Sequence, residues 1–139
     1  MPGSAYTVLN LLLGILVVGV GFLIEPALWI ALQAGPAQAG QALGAALANP
    51  SSIAVPALVA GSITAVVAMS GRSMMERMYR GAAACVLVLV VVDSFTMLMS
   101  GPELTTVRYL FSVASDLVGG ILAGAVIGYL VARLAAARA

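Results

Sequence analysis

The chain has 139 residues, of which 63% are hydrophobic and 8% are charged, whereas soluble domains have about 45–50% apolar and about 25% charged residues. A soluble fold of this composition could not cover its own surface, so lipid is the expected solvent for most of the chain. The net charge of +1 provides no basic stripe for phosphates and argues against a nucleic-acid partner.

The reactive side chains that the chain contains restrict the catalytic and metal-binding chemistry that we expect of it. The chain has one cysteine, Cys85, and no histidine. A disulfide framework, thiolate metal sites and imidazole catalysis are therefore not expected. The sequence also lacks a nucleophile elbow and a stretch long enough for a soluble catalytic domain. We expect no enzymatic activity, no cofactor and no metal centre.

Four apolar runs approach or exceed the roughly 17–25 residues that are needed to cross a bilayer core. These runs cover residues 6–32, 53–70, 81–100 and 109–132. The connections between them cover residues 33–52, 71–80 and 101–108. The sequence thus predicts an all-α integral membrane bundle of four transmembrane helices, which forms a single domain over residues 1–139.

The first span and the connection after it leave alternatives open. Pro26 directly follows Glu25, and a proline there would kink or end the helix. The Ala-Gln-Ala sequence at residues 37–39 resembles a signal-peptide cleavage site, and cleavage would leave three spans. The length of the apolar run and the lack of a basic n-region favour a retained span. The connection predicts either flexible chain or a short interfacial helix over residues 39–48.

The arginines and aromatic residues predict the orientation. No arginine or lysine occurs in the first 71 residues, and five arginines follow in the connection 71–80 and the C-terminal tail: Arg72, Arg77, Arg80, Arg133 and Arg138. Because cytoplasmic connections are enriched in such residues, we expect them to face the cytoplasm and anionic lipid headgroups, with both termini inside. Tyr109 and Tyr129, about 30 Å apart along a helix, match the two interfaces.

Three acidic residues lie within the apolar spans: Glu25, Asp93 and Asp116. An ionisable side chain at membrane depth costs at least about 2.5–3.5 kcal/mol on insertion scales, so it usually faces the bundle or a water-filled cavity. The helical rise from the nearest interfacial aromatic residue puts Asp93 and Asp116 about 9–10 Å below the outer interface, and Glu25 about 6 Å below it. All three are therefore predicted in the outer half of the bilayer.

Residue spacing predicts which helix faces the two aspartates occupy. A stripe of small and polar residues recurs every four positions along the fourth span: Ser112, Asp116, Gly120, Gly124 and Gly128. Such stripes let helices approach closely, and Gly61 in the second span is predicted to pack in the same way. On the third span, Asp93 and Thr96 share a face. If these faces meet, the aspartates form a pair, with hydroxyl groups of Thr96 and Ser112 beside it.

Two functional interpretations follow from these acids. In the first, they bind protons or a cation in a small transporter or channel, since two carboxylates in a low-dielectric site cannot both ionise cheaply. Four helices rarely enclose a pathway alone, so the chain would form a homo-oligomer through its glycine stripe.

In the second interpretation, the chain is an accessory subunit of a larger membrane assembly, of which viral envelope and membrane-lesion proteins are variants. Protonated acids would then hydrogen-bond helix to helix, or one acid would pair with Arg108. The lipid bilayer is the partner in either case. The richness in Ala, Val, Gly and Arg suggests a prokaryotic cytoplasmic membrane.

Overall fold

The computed structural model describes residues 3–99, 101 and 105–139, and none of these residues is in a β-strand. The helices are α1 (Gly3–Ala34), α2 (Pro36–Ala48), α3 (Ser51–Met69), α4 (Met74–Met99) and α5 (Thr106–Arg138). All except α2 are long and apolar enough to cross a membrane. The predicted all-α membrane bundle with four spanning helices is confirmed.

Two of the spanning helices extend well beyond their apolar runs because side chains cap them further out. Ser73 Oγ accepts a hydrogen bond from the backbone N–H of Glu76 at 3.1 Å, so α4 begins before the predicted span. Thr105 Oγ1 accepts one from the backbone N–H of Arg108 at 3.1 Å and caps α5. Side-chain acceptors of this kind satisfy the N–H groups that a helix start leaves unpaired.

The first span does not end at its proline. Helix α1 continues through Pro26 to Ala34, as membrane helices can when neighbouring groups satisfy the freed backbone. Gly35 then turns the chain with a φ of 94°, a left-handed conformation that favours glycine. Helix α2 starts directly after it with Pro36, so the connection 33–52 is mostly helical rather than flexible.

The spanning helices form two closely packed pairs, α1 with α3 and α4 with α5, and α3 also packs on α4. Glycines face each other in both pairs. A Cβ atom on Gly61 would lie 2.5 Å from the carbonyl carbon of Gly14, and one on Gly124 would lie 2.5 Å from the carbonyl carbon of Gly81. The backbones can approach so closely only because these side chains are absent.

The two ends of the bundle have different polar groups. Tyr6, near the start of α1, lies below the guanidinium of Arg138, near the end of α5, at 5.1 Å from ring centroid to Cζ. The start of α1 and the end of α5 therefore lie at one end of the bundle, called here the Tyr6 end. Trp29 lies at the opposite end, called the Trp29 end. Between the ends, apolar side chains fill the interior, among them Val18, Ala60, Cys85, Leu89, Ile127 and Val131.

Candidate functional site

The three intramembrane acids lie around one cavity in the half of the bundle nearer to Trp29. Glu25 of α1, Asp93 of α4 and Asp116 of α5 line a space of about 60 Å³. One water molecule needs about 10–15 Å³ of such volume, so the cavity has room for a few waters or a small cation. Val18 and Leu89 line its side toward the Tyr6 end and separate it from that end with apolar surface.

Asp116 is the most buried of the three acids, and its neighbour Asp93 is partly buried. The Asp116 side chain is 5% exposed, and its Oδ2 atom has no hydrogen-bond partner within the described residues. Asp93 lies close enough to interact with it directly. Asp93 Oδ2 in turn accepts a hydrogen bond from Ser112 Oγ at 3.4 Å. Since Ser112 precedes Asp116 by one helical turn, the stripe on α5 presents both groups to α4.

Glu25 has a partner that the aspartates lack. Arg108 donates two hydrogen bonds to it, from Nη1 to Oε1 at 2.5 Å and from Nη2 to Oε2 at 3.3 Å. The same guanidinium lies over the rings of Trp29 and Phe111, at 5.1 and 5.7 Å from their centroids. Neither Asp93 nor Asp116 forms a salt bridge in the part of the chain that the structure describes.

A second cavity, of about 320 Å³, adjoins the first and is called here the vestibule. Helices α1 to α4 all line it, and its walls are mainly apolar, with Ala42 and Ala46 of α2 on one side. Phe22, Glu25 and Asp93 line both cavities. The carboxylates therefore lie where a roomy apolar space meets a small polar one.

Of the two predicted hydroxyl groups, only that of Thr96 lines a cavity, and the hydroxyl that lines the smaller cavity is that of Ser115. Thr96 lines the vestibule, and its Oγ1 donates to the Val92 carbonyl at 2.9 Å. Ser112 binds Asp93 instead. Across residues 3–99, 101 and 105–139, no three His, Cys, Asp or Glu side chains are grouped so that they could hold a metal ion. The chemistry of the site is that of a carboxylate pair with hydroxyl neighbours, suited to a proton or a monovalent cation.

The glycine stripe of α5 is used inside the chain. Gly120, Gly124 and Gly128 are buried, and a Cβ atom on each would meet the backbone of α4, at Val86, Gly81 and Arg77 respectively. Gly61 similarly contacts α1. The expectation that a homo-oligomer would form through this stripe is therefore wrong, because α4 already covers it.

Arg77 also differs from the expectation that it faces lipid headgroups. Its Nε donates to the Gly71 carbonyl at 2.8 Å, and its Nη1 donates to the Val131 carbonyl at 3.3 Å and to Tyr6 Oη at 3.4 Å. Its guanidinium is thus turned inward and ties α1, α4 and α5 together at the Tyr6 end. Arg77 has the same charge as Arg72 and Arg80, and only the packing of the helices distinguishes it from them.

The other predicted arginines lie at the surface of the same end. Arg80 forms a salt bridge with Glu76 at 2.6 Å and donates to Ser70 Oγ at 2.7 Å. Arg72, Arg133 and Arg138 are exposed. All five predicted arginines therefore lie at the Tyr6 end, far from the carboxylate cavity.

Sequence reasoning missed two buried polar residues, Thr64 of α3 and Asn10 of α1. Thr64 Oγ1 donates to the Ala60 carbonyl at 2.8 Å. Asn10 of α1 is fully buried; its Nδ2 donates to Met69 Sδ at 3.4 Å, and its Oδ1 has no partner within the described residues. It lies midway between the buried residues Tyr6 and Gly14. The four-residue spacing of these polar and small residues is the signal that would have placed Asn10 on the inward face of α1.

No protein-family model matches the sequence, and the comparisons with curated proteins and with solved structures give no match either.

Proposed function

We propose that this chain is a small, non-catalytic membrane transporter or channel that uses the Asp93–Asp116 pair to bind a proton or a cation. One observation supports this role above the others. The side chain of Asp116 is buried and aimed into a cavity shared with two further carboxyl groups, and one of its oxygens has no partner within the described residues. A purely structural acid would be expected to have its hydrogen bonds satisfied.

The balance of charge around the cavity explains why it should take up a positive charge. With every group ionised, three carboxylates and one guanidinium leave two uncompensated negative charges. Burying such charges in a low dielectric is costly. One proton on the aspartate pair removes one of them, and a second proton or a monovalent cation removes the other. Binding of a cation in place of a proton would couple the two movements.

The two-pair packing of the bundle offers a route for transport. The cavity lies between α1, which packs mainly on α3, and the α4–α5 pair. Its floor toward the Tyr6 end is apolar, with Val18 and Leu89 next to the acids. Rocking of one helix pair against the other would open this floor and close the vestibule, which is the alternating access used by many secondary transporters.

The arginines support an orientation in the membrane. All five lie at the end that also holds the start of α1 and the end of α5, so by the positive-inside rule that end faces the cytoplasm. The vestibule then opens toward the outside. A prokaryotic cytoplasmic membrane and a homo-oligomeric state complete the proposal. The oligomer would form through surfaces other than the glycine stripe.

Proton flux in proteoliposomes tests this function. Purified protein is reconstituted with a lumenal pH-sensitive dye, and proton movement is followed under a membrane potential and under imposed gradients of Na⁺ or K⁺. We expect flux above that of empty vesicles, strong loss in Asp93→Asn and Asp116→Asn, and none of this loss in Glu76→Gln, whose side chain lies at the far end of the bundle. Flux that is equal to empty vesicles under every gradient, or that the two Asn variants leave unchanged, would overturn the proposal.

The accessory-subunit role has one observation in its favour. The Glu25–Arg108 pair links α1 to α5 with its hydrogen bonds satisfied, as a structural contact would be. That role predicts stoichiometric foreign chains when the protein is extracted gently from its native membrane. It also predicts that function is indifferent to both Asn substitutions, which is the opposite of the transport prediction.

A further inference from the structure

The vestibule is larger and more apolar than a proton or an alkali cation needs. Its volume is about 320 Å³, which reaches the lower end of the roughly 300–1,000 Å³ range of pockets for small organic molecules. The carboxylate cavity behind it, at about 60 Å³, would be sufficient for water or a single ion. A protein that moved only inorganic ions would not need so large a space beside the acids.

The chemistry of the walls defines what would fill this space. Alanine, leucine, isoleucine and proline side chains form most of the lining, and two carboxyl groups, Glu25 and Asp93, lie among them. Phe22 lies at the junction of the two cavities and adds an aromatic side chain to their lining. A ligand that fits these walls has an apolar body and one positive charge.

Arg108 shows that this end of the bundle already accommodates an organic cation. Its planar guanidinium pairs with Glu25 and lies against the rings of Trp29 and Phe111. Because Glu25 is neutralised in this way, Asp93 is the vestibule carboxylate without a salt bridge among the described residues. Behind Asp93 lies Asp116, with its unpartnered buried oxygen.

We infer that the vestibule binds a monovalent organic cation with an apolar body, whose charged group pairs with Asp93 and displaces a proton from the aspartate pair. This inference rests on the proposed function and names its substrate class. Without a ligand, two protons on the aspartate pair make the site neutral. The ligand displaces one of them, and the proton that remains leaves one negative charge, which supports a ligand with a single positive charge. The proton released would pass to solvent through the vestibule or onward through the transport cycle.

Benzyltrimethylammonium is a suitable probe, and its neutral isostere with a tert-butyl group in place of the trimethylammonium group is the matched control. Binding of each to the full chain in nanodiscs is measured by calorimetry, with proton release followed in weakly buffered solution. We expect the cation to bind, to release protons, and to bind more tightly than the neutral isostere. Asp93→Asn should weaken the binding of the cation by roughly 10- to 100-fold, because the quaternary ammonium loses its electrostatic attraction to a carboxylate in a site of low effective dielectric.

A pair of variants in α2 tests whether the vestibule is the site. Ala42 lines it, whereas Ala48 is exposed on the opposite face of the same helix. Ala42→Trp should fill the space and reduce binding of the cation, and Ala48→Trp should not. Equal effects of the two variants, equal binding of the two probes, or unchanged binding in a folded Asp93→Asn protein would overturn the inference.

Different experimental results would refute this inference and the proposed function. Wild-type protein that conducts or exchanges protons but does not bind the organic cation would refute the inference and leave the proton or inorganic-cation function intact. Protein that binds the cation at the vestibule but moves no protons under any gradient would support the inference while refuting transport.

Discussion

Replacing Gly124 by alanine should destabilise the α4–α5 pair, although alanine is the better helix former. The added methyl group would meet the carbonyl oxygen of Gly81 and lie 2.5 Å from both Gly81 C and Ala82 Cα. These are backbone atoms, so the helices must separate to make room. Overpacking of this kind costs about 1–3 kcal/mol, and alanine in place of glycine recovers about 0.8–1.0 kcal/mol of helix propensity.

Because three backbone atoms are met at once, the upper part of the overpacking range applies, and we expect a net loss of about 1–2 kcal/mol in the free energy of unfolding. Gly119, on the same helix, is the matched control, since a Cβ atom there has no neighbour within 4 Å. Gly119→Ala should leave stability unchanged or raise it by up to about 1 kcal/mol.

Unfolding by SDS in mixed micelles, followed by fluorescence, measures both variants. Trp29 is the only tryptophan of the chain, and it packs on Phe111 of α5 with ring centroids 4.9 Å apart, so its emission reports on the fold near α5. Equal stability changes in the two alanine variants, or a more stable Gly124→Ala protein, would refute the close contact between α4 and α5.

Three further changes test other contacts by the same unfolding assay. Arg108→Gln removes the partner of the partly buried Glu25 and should lower the free energy of unfolding by about 2–4 kcal/mol. Adding Glu25→Gln should recover part of this loss. A double variant whose loss equals the sum of the two single losses would contradict the pairing. Arg77→Gln loses three hydrogen bonds at the Tyr6 end and should cost about 1–3 kcal/mol, whereas the exposed Arg133→Gln should change little. Asn10→Leu should be neutral or stabilising, since the wild-type Oδ1 is buried without a partner among the described residues. A loss of more than about 1 kcal/mol would contradict this reasoning.

Apolar run length was enough to predict the number and order of the spanning helices. It did not predict where the helices begin and end, because their ends depend on caps such as Ser73 and Thr105 rather than on hydropathy. For the connection 33–52, composition left two alternatives, flexible chain or a short helix over residues 39–48, and the structure has a longer helix, α2, which begins at Pro36. The glycine turn before that helix requires a left-handed backbone at Gly35, and no apolar pattern marks it.

For the site, the rise of about 1.5 Å per residue along a helix was the quantity that predicted the depth of the acids. Counting residues from the interfacial tyrosines put Asp93 and Asp116 at one level, and the structure places both around one cavity. The α5 stripe was expected to face another helix, and α4 is that helix. The stripe could not predict which helix covers it. A small-residue pattern of this kind suits close packing against any helix, whether of the same chain or of a second copy.

The sequence also could not predict which charged side chains pair with each other. Glu25 and Arg108 are separated by 83 positions, and spacing along the chain provides no means of deciding which of three acids the arginine meets. Arg77 and Arg80 lie three residues apart, yet one turns into the bundle and the other pairs with Glu76. Such choices depend on which neighbouring helix offers a carbonyl or a carboxylate, which is a property of the packed bundle.

Infrared spectroscopy of the reconstituted protein tests most directly whether the aspartate pair binds a proton. In buffer free of alkali and organic cations, the spectrum should contain the C=O stretch of a protonated carboxylic acid at neutral pH. We expect this band to weaken in Asp93→Asn and in Asp116→Asn, to be lost when both aspartates are replaced, and to persist in Glu76→Gln. A spectrum without the band, or a band that survives both Asn substitutions, would contradict the account.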